Sequence, residues 1–256
     1  MPALVITSRD NPRYKTLRKL VQDANSYRSL QRVWVEGDHL CDAALSRGWQ
    51  PQELILAESN AEGLTRYAAH AQRAVLLPDR LFAELSALPS SRGVGMVFAL
   101  PAAQGVDPDA PTVVLDRLQD AGNVGSILRS ASAFGFRQVL AIKGTAALWA
   151  PKVVRAGMGA HFALALHELA DEGLVQQLRV PLLATSSHQG DFVHARAWPW
   201  PCAWLMGHEG QGVSPALMAQ AQAFARIAQP GGEESLNVAA AAAICLHASA
   251  VARTGD

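Results

Sequence analysis

TVVLDRLQDAGNVGSILRSASAFGFRQVLAI, residues 112–142, is the stretch whose reading decides the fold. TVVLD (112–116) is a continuous apolar run, as in a strand buried on both faces. Asn123 is expected to cap a helix that runs to Phe134 and stops at Gly135. Val124, Ile127, Leu128, Ala131 and Phe134 recur at helical spacing and give that helix one apolar stripe. QVLAI (138–142) is the next strand. Strand, helix and strand in succession read as a βαβ unit whose strands should run parallel, so an α/β class with a parallel sheet is predicted. Downstream, PLLATS (181–186) and AWLM (203–206) read as further buried strands. Ser214-Pro215 has the signature of a helix start. FARIA (224–228) reads as a short last strand, and a helix from about Leu236 to Arg253 ends the chain.

Working back toward the N-terminus, LPAAQGVDPDAP (100–111) holds three prolines, a glycine and two aspartates without periodicity. It reads as a linker between a first part, 1–99, and a second part, 112–256. The first part also alternates. RVWVEG, ELILA, AVLLP and GVGMVFAL are strand-like, with helices expected at about 38–47, 62–71 and 79–86 between them, so a small α/β domain is predicted. Before these, Leu17, Leu20, Val21 and Ala24 lie at helical spacing among Arg13, Lys15, Arg18 and Lys19.

The chain has 256 residues, half of them apolar, with 22 basic and 22 acidic side chains and no net charge. This excludes extensive disorder and a globally basic coat. The positive charge is gathered at the start: residues 1–32 carry seven basic against two acidic side chains, a net of +5. Arg9, Arg13, Lys15, Arg18 and Lys19 are the candidate RNA contacts, with a solvated surface as the equal alternative. The three cysteines, Cys41, Cys202 and Cys245, have neither disulfide nor zinc spacing. A reduced, cytoplasmic setting is expected. No run approaches the roughly 20 apolar residues of a membrane span, and no secretory signal opens the chain.

Three segments of the second part each follow a buried strand, where open parallel sheets place their ligands. The first is DRLQDAGNVGSILRSASAFGF (116–136), with Asn123 and Arg129 on the first two turns of one helix beside a Gly-rich turn. Such a pair suits a phosphate or a sugar. The second is LMGHEGQGVS (205–214), whose glycines suggest backbone facing a ligand. It has neither the P-loop nor the GxGxxG order, and the latter argues against a nicotinamide oxidoreductase. The third is ARIAQPGGEESLNVAAAAAICLHA (225–248), where Ser235 is the expected cap of an Ala-rich helix and Asn237 falls in its first turn. His161, His167, His188 and His194 lack the spacing of a metal pair, and no metal site is predicted. No GxSxG elbow is present.

Taken together, AGNVGSILRSASAFG, LMGHEGQGVS and IAQPGGEESLNVAAAAA resemble the three motifs of the SpoU (TrmH) family of RNA ribose 2′-O-methyltransferases, in order and spacing across 112–256. The resemblance implies a parallel α/β fold of the SPOUT type with a C-terminal trefoil knot. VWVEGDHLCDAALSRG and the basic opening are similar to the small L30e-like substrate-binding domain that precedes many members. The resemblance further implies S-adenosylmethionine as methyl donor, a homodimer, and no metal. Carried over by motif position, Asn123, Arg129, Glu209, Ser235 and Asn237 are the implied catalytic set. Gly207, Glu209, Gly212, Ile227, Leu236 and Asn237 are implied around the cofactor. The sequence departs from the pattern at His208, where a small polar residue is usual, at Ala228-Gln229 in place of Pro-Met, and at Ala239 in place of Ser.

The implied reaction is methyl transfer to a ribose 2′-hydroxyl of structured RNA, ribosomal RNA ahead of tRNA. A guanidinium stays protonated in proteins and is a poor general base. Arg129 is therefore expected to act as a donor to phosphate and developing alkoxide, with the phosphate as proton acceptor. The alternative is a non-catalytic RNA-binding protein retaining the fold; loss of Arg129 or Asn123 would have favoured it, and both are present.

Overall fold

The structure, a computed structural model, describes residues 3–86, 92–186, 189–232 and 235–252. In chain order it runs β1 (Leu4–Val5), α1 (Pro12–Gln22), α2 (Ser26–Leu30), β2 (Arg32–Glu36), α3 (Asp38–Ser46), β3 (Glu53–Ala57), α4 (Ala61–Tyr67), β4 (Arg73–Leu77), α5 (Asp79–Leu85) and β5 (Val94–Ala99). It continues β6 (Thr112–Asp116), α6 (Ala121–Ala133), β7 (Gln138–Ile142), α7 (Pro151–Gly157), β8 (Ala165–Ala170), α8 (Glu172–Val175), β9 (Leu182–Thr185), β10 (Asp191–Phe192), β11 (Ala203–Gly207), α9 (Pro215–Met218), β12 (Ala223–Arg226) and α10 (Val238–Ala252). Arg253, the expected end of the last helix, and His188 lie outside the described residues.

Two compact units form, 1–102 with 149–162, and 103–148 with 163–256. The first carries a five-stranded sheet in the order β1-β4-β3-β5-β2, with β5 antiparallel to both of its neighbours. Pro12 opens α1 behind an Asn11 cap, whose side chain accepts from Arg13 N–H at 2.9 Å. Tyr14, Leu17 and Leu20 are its buried face, while Ala24 lies beyond the helix and is exposed. Residues 149–162 pack here rather than with the remainder of 112–256. The reason is apolar surface: Val153 and Val154 are buried, and the Trp49 ring lies 5.8 Å from Trp149 and 5.1 Å from Phe162.

The second unit carries a seven-stranded sheet in the order β10-β12-β9-β11-β6-β7-β8, parallel throughout. The strand predictions hold, and β8 and β10 are additions. Val114, Leu140, Leu182, Ala184 and Leu205 line up in its core. The second half of the expected linker is fixed onto this sheet. Buried Gln138 donates to the Asp107 carbonyl at 3.1 Å and accepts from its N–H at 2.9 Å. The chain steps from β6 to β7 and β8 on one side, then crosses to β9 on the other. Strand order therefore reverses beside β6, where open sheets leave a crevice at their carboxyl edge.

Candidate active site

Because β6 and β11 pair in parallel, with Asp116 opposite Gly207, their following loops leave the sheet side by side. Asp116 is 1% exposed. Its carboxylate accepts from Ser214 N–H at 2.6 Å and from Arg117 Nε at 2.9 Å. Arg117 takes a left-handed backbone, φ 58°, uncommon for a residue with a long side chain, and reaches Gln211 Oε1 at 3.4 Å. One end of the 208–214 loop is thus tied to the end of β6. Sequence reading passed over Asp116; the signal for it was an acid closing a wholly apolar strand at the ligand edge. Asp116→Asn leaves one acceptor oxygen for two donors. It is expected to lower unfolding free energy by about 2 kcal/mol, measured by urea denaturation. A change under about 0.5 kcal/mol contradicts the strut.

The other end is tied by Glu209. Its carboxylate accepts from Gln119 N–H and Asp120 N–H, both at 3.1 Å, and from Asn123 Nδ2 at 3.2 Å. Burial alone would raise its pKa; the donors of Gln119, Glu209 itself, Asp120 and Asn123 together outweigh that and hold it below the usual carboxylate range.

Asn123 does not cap α6. Asp120 does, accepting from Asn123 N–H at 2.8 Å, which frees the Asn123 side chain in the first turn. Asn123 Oδ1 accepts from Asn237 Nδ2 at 2.9 Å. Asn237 Oδ1 in turn accepts from Ala239 N–H at 2.9 Å and Ala240 N–H at 3.3 Å. Asn237, not Ser235, therefore caps α10. A carboxylate only accepts, so Glu209 fixes which way each amide of this relay is turned. The structure thereby joins Glu209, Asn123 and Asn237 from three separate loops. Arg129 and Ser235 are exposed and stand outside the relay. Arg129 makes no hydrogen bond or ion pair to a described residue.

Beside the relay lies a cleft of about 420 Å³. Gly207, Glu209, Gly212, Ile227, Leu236 and Asn237 all line it, as does Ser235. Gly207 permits the close return of the loop, since a Cβ there would lie 2.2 Å from Gly212 C and Val213 N. Leu236 lines the mouth and is 42% exposed. Gln229 Oε1, also at the cleft, is buried without a hydrogen-bond partner among the described residues. An apolar wall with an unused acceptor suits a ligand that has an aromatic or aliphatic body and N–H or O–H donors.

The five basic residues of the N-terminus are less free than their charge suggested. Arg9 pairs with Glu84, Lys15 with Asp10 at 3.1 Å, and Arg13 with buried Glu53 at 3.8 Å. Arg18 donates to Gln22 at 3.1 Å.

Fold and site define an α/β protein with a loop-built cleft at the carboxyl edge of a parallel sheet. Residues 110–247 match the SpoU rRNA Methylase family, and the chain belongs to that family. It is similar to a 23S rRNA guanosine 2′-O-methyltransferase of Bacillus subtilis, 26% identical across 83% of this chain and 86% of the relative. A solved RNA 2′-O ribose methyltransferase superposes with a TM-score of 0.81, at 30% identity, over 98% of this chain and all of the other. An AdoMet-bound rRNA methyltransferase from Sinorhizobium meliloti gives 0.83, at 26% identity, over 96% and 97%.

Proposed function

We propose that this chain transfers a methyl group from S-adenosylmethionine to a ribose 2′-hydroxyl of ribosomal RNA. The observation that carries the reading is the junction of three loops, where the Glu209–Asn123–Asn237 relay meets the cleft. The cleft residues Gly207, Gly212, Ile227, Leu236 and Asn237, with Glu209, would hold the cofactor, and Gln229 offers an acceptor to one of its donors. When bound, S-adenosylmethionine supplies a sulfonium-activated methyl carbon. The protein must then align the 2′-oxygen in line with that carbon, an effect reaching roughly 7–11 kcal/mol in well-oriented cases. Arg129, uncommitted on the exposed side of α6, donates to the adjacent phosphate and to the developing alkoxide, and the phosphate takes the proton. Asn123, Ser235 and Asn237 orient nucleotide and guanidinium. Incubating the protein with unmodified ribosomal RNA and methyl-labelled S-adenosylmethionine should yield labelled 2′-O-methylnucleosides. Label on bases alone, or none, overturns the reading.

Three further assignments belong to it. The C-terminal part forms a trefoil knot; β11 and β12 returning to either side of β9 supports this. The protein works in the cytoplasm. Its cysteines are unpaired and buried, and no helix among the described residues is long and apolar enough to cross a membrane. It is a homodimer. The helix α10 carries no charge, and packs on α6 and β11 of its own chain through Ala242, Cys245, Leu246 and Ser249. That leaves Ile244 and Val251, 40% and 46% exposed, beside Phe134 and His247 for a second copy. Ile244→Glu with Val251→Glu should raise the dimer dissociation constant at least about 100-fold, since each charge would be buried unpaired. Light scattering at micromolar concentration reads this; an unchanged dimer contradicts it.

Residues 1–99 are assigned an L30e-like, RNA-capturing role. Deleting them would strip cover from Trp149 and Phe162, so point changes are the cleaner test. Of the basic five, Arg18 and Lys19 lack an acidic partner among the described residues. Arg18→Glu with Lys19→Glu should weaken RNA binding and reduce the slope of log affinity against log salt by about 1 or more. An unaltered slope moves the RNA surface elsewhere.

A further inference from the structure

We infer that His208 is a positioning residue, one whose unprotonated ring nitrogen holds the cofactor loop in its binding shape. The inference rests on the reading that the cleft takes S-adenosylmethionine. His208 follows directly on β11 and itself lines the cleft. Its Nδ1 accepts from Gly210 N–H at 3.0 Å and from Gln211 N–H at 3.3 Å. Its backbone closes the same turn from outside. His208 N–H donates to the Gly212 carbonyl at 3.0 Å, and Gly212 N–H donates to the His208 carbonyl at 2.8 Å. The imidazole thus supplies the inner acceptor of a five-residue turn.

Two neighbours depend on that turn. Glu209, at its first corner, is aimed at Gln119, Asp120 and Asn123. Gly212, at its close, lines the cleft with a left-handed φ of 67°. The return of the loop onto Gly207 leaves no slack, because even a Cβ at 207 meets backbone at 2.2 Å. Loss of the inner acceptor therefore shifts both the cleft wall and the carboxylate that orders the relay.

An Nδ1 that accepts requires the ring proton on Nε2. The charged groups nearby do not replace the lost acceptor. Glu209, on the same loop, already accepts three donors. Asp116, on the adjoining strand, is taken by Ser214 N–H and Arg117. Among the described residues, those lining the cleft from the end of β9 and from 227–232 and 235–237 that carry polar side chains, Thr185, Ser186, Gln229, Ser235 and Asn237, are uncharged.

The test is calorimetric binding of S-adenosylmethionine to full-length native protein, His208→Ala and His208→Asn at about pH 8. Thermal unfolding of each confirms the fold. At pH 8, His208→Ala should bind about tenfold more weakly, two backbone donors having lost their acceptor. His208→Asn should stay within about threefold of native, since an Asn side-chain oxygen accepts from the N–H two residues on. Equal binding by native and His208→Ala at pH 8 overturns the proposal, as does a His208→Asn protein that binds as weakly as His208→Ala. Native protein that fails to bind at pH 8 overturns the cofactor reading instead.

Discussion

Arg129→Lys is expected to lower the single-turnover methylation rate about 10²- to 10³-fold at saturating RNA and cofactor, although the charge is kept. That is the scale for removing one preorganised donor from a developing oxyanion. Lys presents a point charge; Arg presents a planar fork that can hold a phosphate oxygen and the reacting oxygen together. Arg129→Ala should lose slightly more. Neither change should disturb the fold beyond about 0.5 kcal/mol, the scale for an exposed residue without partners. Arg129 is exposed on α6 and bonds to no described residue. Cofactor affinity should hardly move, because Arg129 is not among the residues of the cleft. The loss therefore belongs in the chemical step. Near-native rates for Arg129→Lys would show that a point charge suffices. Near-native rates for Arg129→Ala would make the residue a surface arginine and remove it from the site.

The fold of the second unit was legible because its central strands, β6, β7, β9 and β11, are buried on both faces. TVVLD, QVLAI and AWLM are apolar at every or nearly every position, and such runs have one plausible environment. What stayed hidden was set by tertiary packing. β8 (ALHELA) mixes polar and apolar residues, and its pattern alone does not mark a strand. The assignment of 149–162 to the first unit depends on Trp49 meeting Trp149 and Phe162, which periodicity within either stretch cannot reveal. The basic opening misled in a similar way. Formal charge ignores distant partners, and Glu84 and Glu53 reach Arg9 and Arg13 from far along the chain.

At the site, motif spacing named Asn123, Glu209 and Asn237, but their roles needed geometry. Asn123 looked like a helix cap because Asn is a good one. Asp120, three residues earlier, competes for that place and takes it. Ser235 lost the cap of α10 to Asn237 by the same logic, since only the residue adjoining the first turn reaches its N–H groups. In both cases a polar residue at a helix mouth was correctly located, and which N–H it serves was not. His208 stood out only as a departure from pattern; its two backbone donors lie within three residues, and no spacing rule announces a ring nitrogen turned inward.

The relay itself gives the second large effect. Asn123→Asp is nearly isosteric, yet it sets a carboxylate where an amide donates to Glu209 at 3.2 Å. Two carboxylates so close cannot both ionise freely, so one holds a proton with a raised pKa. At pH 8 the pair is forced toward two charges, the loops separate, and methylation should fall about 10²- to 10³-fold. Lowering the pH toward about 5 should restore part of the activity, because a shared proton rebuilds the bond. The native relay has the opposite sign. Glu209 is held below its ordinary range, so its pinning is fully present above about pH 4.3, the unperturbed value, and is lost only as pH falls through the lower folded one. Glu209→Gln alone should cost about tenfold, as one amide oxygen then serves donors that two carboxylate oxygens had shared. Joined with Asn123→Asp it should recover at least about tenfold over Asn123→Asp alone, since the new amide can donate to the new carboxylate. That carboxylate would still accept from Asn237 Nδ2, which leaves the α10 cap intact. Single-turnover rates of the native protein, both single variants and the double variant, each followed from pH 5 to pH 8, provide the measurement. Losses that simply multiply in the double variant, or an Asn123→Asp protein whose rate does not rise on acidification, would show that Glu209 and Asn123 act independently and that the relay does not order the site.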